Sequence, residues 1–365
     1  MNNCIIYNSQ LKKYNKYKLI ELLDSKQKIV DKNKSIKNYN VNNILIYSIQ
    51  DILNLINQYP KNSRLNNSIE MEMLHNIKEP LIKLNNMIGM ESVKKNIIYQ
   101  ILYYIQGFHK MTTNYNRESR ERSENNDYLH TIIYGPPGTG KTEIARLIGD
   151  IFRKIGILKN DRFRKVTRAD LIAGYLGQTA IKTKGVIKDC LGGVLFIDEA
   201  YSLGSPDQRD SFSKECIDTL CESLSYYKND IMVIIAGYKN ELNTCFFNYN
   251  KGLESRFTWS YKTEEYTPNQ LKKIFKKMII ESGWKHNLKI TDKWFDKHKN
   301  DFKSFGRDME QLFAKTKICH SNRVFGMSCE NRGIINDKDI NLGFELFLDN
   351  KKDETCEKYN ETMYI

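Results

Sequence analysis

The spacing of apolar residues changes twice along the chain, near residues 130 and 267. Before the first change and after the second, apolar positions recur every three or four residues, as on one face of an α-helix. Between the two changes, short unbroken apolar runs alternate with helical patterns. This alternation is typical of a parallel sheet covered by helices, so we expect an α/β fold followed by a small all-α domain.

The individual elements follow from the same pattern. Short apolar runs predict strands at 131–134, 163–166, 194–197, 231–236 and 257–261. Helical spacing predicts helices at 17–29, 44–56, 93–101, 141–155, 170–190, 213–227, 271–281, 291–299, 308–320 and 337–349. We expect a helical or partly disordered N-terminal appendage, a linker helix with a mobile loop, an α/β subdomain, a helical lid and a tail, at 1–80, 81–130, 131–267, 268–347 and 348–365.

The chain is basic, with a formal net charge of +13 and a pI of about 9.1. Such a balance permits a nucleic-acid partner. However, Lys and Asn are abundant from end to end, which is the pattern of an A/T-rich coding sequence and not of one basic stripe. Nucleic acid therefore stays a possible partner that the charge distribution does not favour.

The spacing of the cysteines and the N-terminal residues indicate the cellular compartment of the protein. The 8 cysteines form no C-x-x-C pair, so we expect free thiols in a reducing compartment and no zinc site. The first residues contain no apolar signal segment, and no run reaches the roughly 18 apolar residues of a membrane span. We expect a soluble, cytoplasmic protein without a membrane partner.

A phosphate-binding loop (P-loop) is predicted between the first strand of the α/β region and the following helix. The motif G-x-x-x-x-G-K-[ST] is matched by Gly135, Pro136, Pro137, Gly138, Thr139, Gly140, Lys141 and Thr142. Its glycines let backbone N–H groups turn toward phosphate oxygens, and the helix N-terminus attracts the same anion. Lys141 reaches the β- and γ-phosphates, and the Thr142 hydroxyl binds Mg²⁺. The motif therefore predicts ATP and Mg²⁺ as cofactors; a plain Gly/Pro-rich turn would lack this strand–helix context.

The apolar strand predicted at 194–197 ends in two carboxylates, Asp198 and Glu199. Asp198 can hold Mg²⁺ beside the phosphates. Glu199 can polarise the attacking water as a general base. An Asp-Glu pair also caps helices, but the P-loop upstream favours the catalytic interpretation. These residues, with Lys141, predict an ATP hydrolase.

Further motifs resemble those of one family. They are LIAGYLGQTAIKT at 171–183, GGVLFIDEAYSL at 192–203, Ala-Gly-Tyr at 236–238 and GLESRF at 252–257. With the P-loop, they resemble the AAA+ ATPases, in particular the group containing stage V sporulation protein K and the red-type, CbbX-like Rubisco activases. The resemblance covers about residues 85–345. It implies an AAA+ P-loop NTPase core, a parallel sheet sandwiched by helices, followed by a small all-α lid.

The resemblance also implies further residues of the ATP site. Arg256 matches the arginine finger, which acts on the ATP of a neighbouring subunit. Arg307 matches the sensor-2 arginine, which touches the γ-phosphate of its own subunit. Ile88 and Gly89 match the linker that packs on the adenine. The alternatives are an ordinary surface arginine for Arg256 and a solvated helix-terminal arginine for Arg307.

A substrate-gripping loop is implied as well. Tyr175, Leu176 and Gly177 match the aromatic–hydrophobic–glycine pore loop that grips a polypeptide in AAA+ rings, although a tyrosine packed beside a turn is the alternative. One motif departs from the wider AAA+ pattern, which places Asn or Thr after the fourth strand to orient the lytic water. Here a Gly-Tyr pair stands there, so Tyr238, and less so Asn240, is the candidate.

The sequence therefore predicts an ATPase that works as a ring oligomer, a homo-hexamer, and remodels a protein partner of unknown identity through a central pore loop. Two other functions stay open. One is a nucleic-acid-associated motor or loader, which the charge permits, although no recognition helix or zinc finger is present in the sequence. The other is a slow ATP-binding scaffold, which the complete set of Asp198, Glu199 and Arg256 disfavours.

Overall fold

The computed structural model describes residues 36–41, 44–66, 68–110, 127–175, 177–207, 209–326 and 332–362. The helix predicted at 17–29 and most of the predicted mobile loop, 111–126, lie outside these ranges. Within the described residues, no helix has both the length and the apolar character needed to cross a lipid bilayer.

The described strands are β1 (Lys37–Tyr39), β2 (Ser63–Leu65), β3 (Ile69–Glu70), β4 (Thr131–Tyr134), β5 (Phe163–Val166), β6 (Val194–Ile197), β7 (Met232–Gly237), β8 (Trp259–Lys262), β9 (Lys285–Asn287) and β10 (Ile334–Asn336). The described α-helices are α1 (Ile49–Gln58), α2 (Met71–Asn76), α3 (Lys78–Asn85), α4 (Glu91–Ile105), α5 (Lys141–Ile155), α6 (Arg168–Leu171), α7 (Thr179–Asp189), α8 (Ser211–Tyr226), α9 (Lys239–Cys245), α10 (Lys251–Glu254), α11 (Pro268–Glu281), α12 (Asp292–Lys297), α13 (Gly306–Arg323) and α14 (Asp337–Thr362).

Strands β4 to β8 form one sheet in the order β5-β6-β7-β4-β8, and every neighbouring pair is parallel. Successive side chains of a strand point to opposite faces. Ile133 and Phe196 accordingly belong to one hydrophobic cluster, and Ile132 and Leu195 belong to a second. Because helices bury both faces, the inner strands β6 and β7 are apolar and buried along their whole length, whereas the outer strands β5 and β8 carry polar residues. The predicted α/β core is confirmed.

The carboxyl ends of four neighbouring strands meet at one edge of this sheet. Tyr134, the last residue of β4, pairs with Gly237 on one side and with Lys262 on the other. Strand β6 ends beside β7, where Ile197 pairs with Ile235. Open parallel sheets bind their ligands at this edge, so the loops that follow these strands are the natural place for a site.

The described N-terminal segment packs on the α/β core. Helix α1 buries Ile52 in the same hydrophobic cluster as Ile148 of α5, and Met71 of α2 belongs to that cluster too. Lys154 of α5 forms a 3.1 Å ion pair with Glu79 of α3. The apolar face of α1 is buried in a hydrophobic cluster that it shares with the α/β core. The described part of the expected appendage therefore forms a layer packed against that core.

The C-terminal region is helical, as predicted, with two differences in detail. A short parallel pair, β9 and β10, accompanies its helices. Helix α14 continues to Thr362, past the position where a loose tail was expected. Its extension is rich in Lys and Glu, which favour helices without needing a buried face. Helices α13 and α14 lie very close at Gly343, where a Cβ atom would stand 2.8 Å from the Thr316 Cα.

Candidate active site

A cavity of about 730 Å³ lies between the carboxyl edge of the sheet, the segment before α4 and the C-terminal helices. Most of the residues predicted to bind or cleave ATP line it. These residues are Ile88, Pro137, Gly138, Gly140, Lys141, Thr142, Asp198, Glu199 and Arg307. The cavity therefore assembles groups from four separate stretches of the chain. Arg256 and Tyr175 do not line it.

The P-loop wraps around the start of helix α5. Gly138 and Gly140 have φ values of +72° and +78°, which glycine adopts without strain, and Gly140 directly precedes the first helical residue. The turn leaves the N-terminal N–H groups of α5 at the cavity wall. Such a terminus attracts anions through its unpaired N–H groups and the helix dipole.

The ammonium of Lys141 is buried in the P-loop. It donates to the carbonyls of Gly135 and Pro136 at 2.8 and 2.9 Å. Burial lowers the pKa of Lys141, while the nearby carboxylates of Glu199 and Asp198 act in the opposite direction. The side chain is thus held next to both predicted carboxylates.

The backbone of the P-loop is braced by a residue that sequence reasoning missed, Thr263. Its hydroxyl lies 2.8 Å from that of Thr139 and donates to the Tyr134 carbonyl at 3.1 Å. A Cβ atom on Gly135 would stand only 1.8 Å from the Thr263 Oγ1, so the loop needs glycine there. Gly135, Pro136 and Thr139 shape the loop and are not lining residues of the cavity. The sequence feature that could have indicated Thr263 is its position directly after a predicted strand, at the carboxyl edge of the sheet.

Asp198 and Glu199 follow β6 at the floor of the cavity. The Asp198 Oδ1 accepts a 3.2 Å hydrogen bond from the Glu199 backbone N–H. Its Oδ2 forms a 2.6 Å ion pair with Lys165 of β5, a second residue that sequence reasoning missed. Glu199 has a φ of +51°, an uncommon conformation for a residue with a side chain. Its Oε2 is buried without a hydrogen-bond partner among the described residues.

The C-terminal helices close the cavity by direct contact with the P-loop. The Gly306 N–H donates to the Gly138 carbonyl at 3.0 Å. A Cβ atom on Gly138 would stand 1.8 Å from the Ser304 carbonyl oxygen. Phe305, between these two lid residues, has a φ of +45°. This tight turn begins α13 and places Arg307 in the cavity wall.

Five apolar side chains of the cavity lining, which otherwise includes polar residues such as Asn86 and Lys277, are called the apolar slot below. They are Met87, Ile88, Leu147, Ile274 and Met278. Gly89 lies beside the slot with a φ of +71°, and a Cβ there would meet the Gln270 side chain at 2.9 Å. An apolar slot next to a P-loop can hold a flat heteroaromatic base while the loop binds phosphates.

Of the two candidates after β7, Tyr238 lies closer to the cavity chemistry. Its ring centroid is 5.7 Å from the Lys141 Nζ. Asn240 is exposed within α9, and neither residue lines the cavity itself. The geometry therefore favours Tyr238 over Asn240.

Two predicted residues lie away from the cavity. Arg256 donates through Nε to the Ser225 Oγ at 2.7 Å and through a terminal nitrogen to the Gly252 carbonyl. Tyr175 is 75% exposed, and the glycine on either side of its loop has no neighbouring atoms within 4 Å of a Cβ position. Leu176 lies outside the described residues.

Comparison with known proteins agrees with this geometry. The profile of the "ATPase family associated with various cellular activities (AAA)" matches residues 131–258. A CfxQ-like protein of Acanthamoeba polyphaga mimivirus is 36% identical over 304 residues, which are 82% of this chain and 71% of the relative. The chain belongs to the AAA family of ATPases. As a member of this family it binds ATP and is an ATP hydrolase.

Other relatives of this AAA ATPase match the group indicated by its motifs. Stage V sporulation protein K of Bacillus subtilis is 39% identical over 207 residues, 56% of this chain and 61% of that protein. The chloroplastic ribulose bisphosphate carboxylase/oxygenase activase of Cyanidioschyzon merolae is 40% identical over 168 residues, 46% of this chain and 57% of that protein. The matched part is thus less than two thirds of either relative.

A solved structure supports the same fold. The crystal structure of the FIGL-1 AAA domain in complex with ADP superposes with a TM-score of 0.50. The superposition covers 72% of this chain and 83% of that one at 18% sequence identity. At this identity the likeness shows the architecture of the AAA core, and the site residues rest on their own geometry.

Proposed function

We propose that this AAA ATPase assembles into a hexameric ring, hydrolyses Mg²⁺-bound ATP at its subunit interfaces and uses the cycle to remodel a protein partner. The proposal rests on the different positions of Arg256 and the other predicted ATP-site residues. The groups suited to bind and cleave ATP meet in one cavity, whereas Arg256 is held outside it by Ser225 and Gly252. An arginine that does not line the cavity of its own subunit is suited to act on an ATP bound by a neighbouring copy.

Within one subunit, the apolar slot would hold the adenine, with Ile88 and Gly89 in the linker beside it. The P-loop N–H groups and Lys141 would bind the phosphates. Arg307, in the wall opposite, would add positive charge at the γ-phosphate. These groups neutralise the charge that spreads over the transferring phosphoryl group, which is the main requirement of phosphoryl transfer.

The donor set also fits Mg²⁺. Thr142 and Asp198 line the same cavity and offer a hydroxyl and a carboxylate oxygen, the hard ligands that this cation prefers. Bound there, Mg²⁺ would neutralise phosphate charge. Glu199 would orient and deprotonate the attacking water, because it is the second carboxylate at the cavity floor.

The work on a partner is assigned to Tyr175 with Leu176 and Gly177. An aromatic side chain that is 75% exposed between two glycines is available for contact and free to move with its loop. Apolar side chains of a polypeptide offer such a ring a surface, whereas duplex DNA offers mainly phosphates that require Lys or Arg. A protein substrate is therefore favoured over nucleic acid.

The proposal is tested by mixing two inactive variants. Arg256→Ala should bind ATP and fail to hydrolyse it, and Lys141→Ala should not bind ATP but keep its own Arg256. Mixed subunits should regain ATPase activity, because the finger and the nucleotide can then come from different copies. Arg153→Ala is the matched control and should keep full activity, because within the described part of the chain the Arg153 guanidinium pairs with Asp150 and does not line the cavity. Full turnover by Arg256→Ala alone, or by verified monomers, would overturn the ring mechanism.

A further inference from the structure

The guanidinium of Arg256 is held at the end of helix α8 by the hydroxyl of Ser225. Ser225 is the last residue but one of α8, and its Oγ accepts a 2.7 Å hydrogen bond from the Arg256 Nε. A terminal nitrogen of the same guanidinium, Nη1, donates to the carbonyl of Gly252 in α10. Two separate helices therefore hold Arg256 through two of its three nitrogens.

The Ser225 hydroxyl is itself oriented by its own helix. It donates its hydrogen to the Cys221 carbonyl, one turn earlier, at 3.1 Å. Serine in a helix commonly makes such a backward bond. A hydroxyl has one hydrogen and two lone pairs, so this bond leaves the oxygen free to accept. The Ser225 Oγ is thus an acceptor with a fixed direction, at a helix C-terminus that itself favours a positive charge.

The two bonds leave one nitrogen of the guanidinium available. Among the described residues, the Arg256 Nη2 makes no hydrogen bond or ion pair, whereas Nε and Nη1 are both engaged. Space for this arrangement is limited, since a Cβ atom on Gly252 would stand 3.1 Å from Nη1. A free arginine side chain has many rotamers, and anchoring it removes most of them before a phosphate is met. Such orientation in advance is a large part of how a charged group accelerates phosphoryl transfer.

We propose that Ser225 is the positioning residue for Arg256, an inference that rests on the proposed role of Arg256 as the arginine finger. Its hydroxyl holds Nε so that Nη2 is presented to the γ-phosphate bound by a neighbouring copy. Ser225 does not line the cavity of its own subunit. It therefore affects the rate of hydrolysis and not the affinity for ATP.

The first test uses Ser225→Ala, which removes only the hydroxyl. It should lower kcat by about 10-fold, the scale of a lost hydrogen bond to a charged group, and leave the Kd for ATP at the wild-type value. Ser321→Ala is the matched control, because the Ser321 hydroxyl also donates to a carbonyl of its own helix, that of Ile318, at 2.8 Å and away from the cavity. It should leave kcat unchanged. An unchanged or higher kcat in Ser225→Ala, or a weaker Kd for ATP, would overturn the proposal.

Mixed subunits show whether the Ser225 hydroxyl acts through Arg256. Ser225→Ala subunits keep their own ATP cavity, so Lys141→Ala subunits, which supply an intact finger, should raise ATP turnover several-fold. Arg256→Ala subunits supply no finger and should not raise it. A loss of rate through general damage to the fold would not distinguish these two partners. Equal effects of the two partners would therefore overturn the proposal.

A double variant and a reference mixture complete the test. Ser225→Ala combined with Arg256→Ala should be no slower than Arg256→Ala alone, because the hydroxyl then has no guanidinium to hold. A further loss of about 10-fold in that double variant would contradict the assignment. If Arg256→Ala and Lys141→Ala subunits stay inactive when mixed, the ring mechanism itself fails and this inference with it. That outcome is distinct from a working mixture in which only the Ser225 variants behave otherwise than expected.

Discussion

The backbone N–H of Gly306 donates a 3.0 Å hydrogen bond to the carbonyl of Gly138, which joins the lid directly to the P-loop. No side chain mediates this contact. The lid turn approaches so closely that a single Cβ atom on Gly138 would overlap the Ser304 carbonyl. A shift of the P-loop backbone would therefore displace the start of helix α13, which contains Arg307.

Gly138→Ala should separate the lid from the P-loop. We expect a loss of unfolding free energy about 1–3 kcal/mol larger than that of Gly156→Ala, together with weaker ATP binding. Gly156 is the matched control, since it also has a positive φ, +92°, but a Cβ there meets no atom within 4 Å. Chemical denaturation and calorimetric titration with ATP measure the two effects. Equal losses in both variants would show that the close approach to Ser304 is unimportant.

Lys165→Ala should make Mg²⁺ easier to bind. The Lys165 ammonium lies 2.6 Å from the Asp198 carboxylate and competes with a cation for it. Because the lysine is partly exposed, we expect only about a two- to fivefold fall in the Mg²⁺ concentration that gives half-maximal ATPase activity.

The neighbouring residue supplies the control for that measurement. Arg164→Ala removes a 3.0 Å ion pair of the same strand, but with Asp189. It should leave the Mg²⁺ dependence unchanged. A higher Mg²⁺ requirement in Lys165→Ala would mean that Lys165 orients Asp198 for the metal and does not compete with it.

Tyr175→Ala should leave the fold intact and abolish stimulation by a polypeptide. Exposed substitutions usually change the unfolding free energy by less than about 0.5 kcal/mol, whereas loss of a buried aromatic costs about 3–5 kcal/mol. Basal ATPase should persist, while stimulation by an unstructured protein should vanish. Tyr47→Ala, at a site 64% exposed, is the control and should keep the stimulation. Stimulation by single-stranded DNA and not by protein would favour the nucleic-acid alternative.

The stability of the α/β core should fall at acid pH through His130. Burial lowers the pKa of His130 to about 4, and its Nδ1 accepts the Val233 N–H at 3.1 Å. In the unfolded chain the imidazole is protonated below its ordinary pKa of 6.5. In the folded chain it stays neutral until the pH falls to about 4. Stability from this group is therefore complete above pH 6.5 and is lost on acidification toward pH 4, at up to about 1.4 kcal/mol per pH unit.

His130→Gln tests that assignment. The informative quantity is the change of the unfolding free energy with pH, not its value at one pH. Its unfolding free energy should depend less on pH between 6.5 and 4 than that of the wild type. Urea denaturation at a series of pH values gives both slopes. An unchanged slope would assign the acid sensitivity to other groups.

The sequence was informative where local pattern decides structure. The five strands of the central sheet were predicted, and the signal was clearest for β6 and β7, which are short, buried, unbroken apolar runs. The P-loop motif and the carboxylates after an apolar strand predicted that Lys141 and Asp198 share one site, and both line the cavity. Their roles in ATP chemistry stay predictions that the variants above can test.

The contacts that the sequence did not reveal join residues far apart in the chain. Thr139 and Thr263 are 124 positions apart and bond through hydroxyls, a pairing that no periodicity encodes. The pairing of Lys165 with Asp198 likewise depends on which strands become neighbours. The N-terminal segment was expected to be separate because its polar composition hid how fully the few apolar residues of α1 are buried.

The family-defining segment, residues 131–258, is shorter than the unit that can hold a nucleotide. One wall of the cavity comes from Ile88, before that segment, and another from Ile274 and Arg307, after it. A fragment trimmed to the matched residues would keep its sheet and lose two sides of the site. Any truncation or domain exchange in this chain should therefore keep the span from α3 to α13 together as one unit.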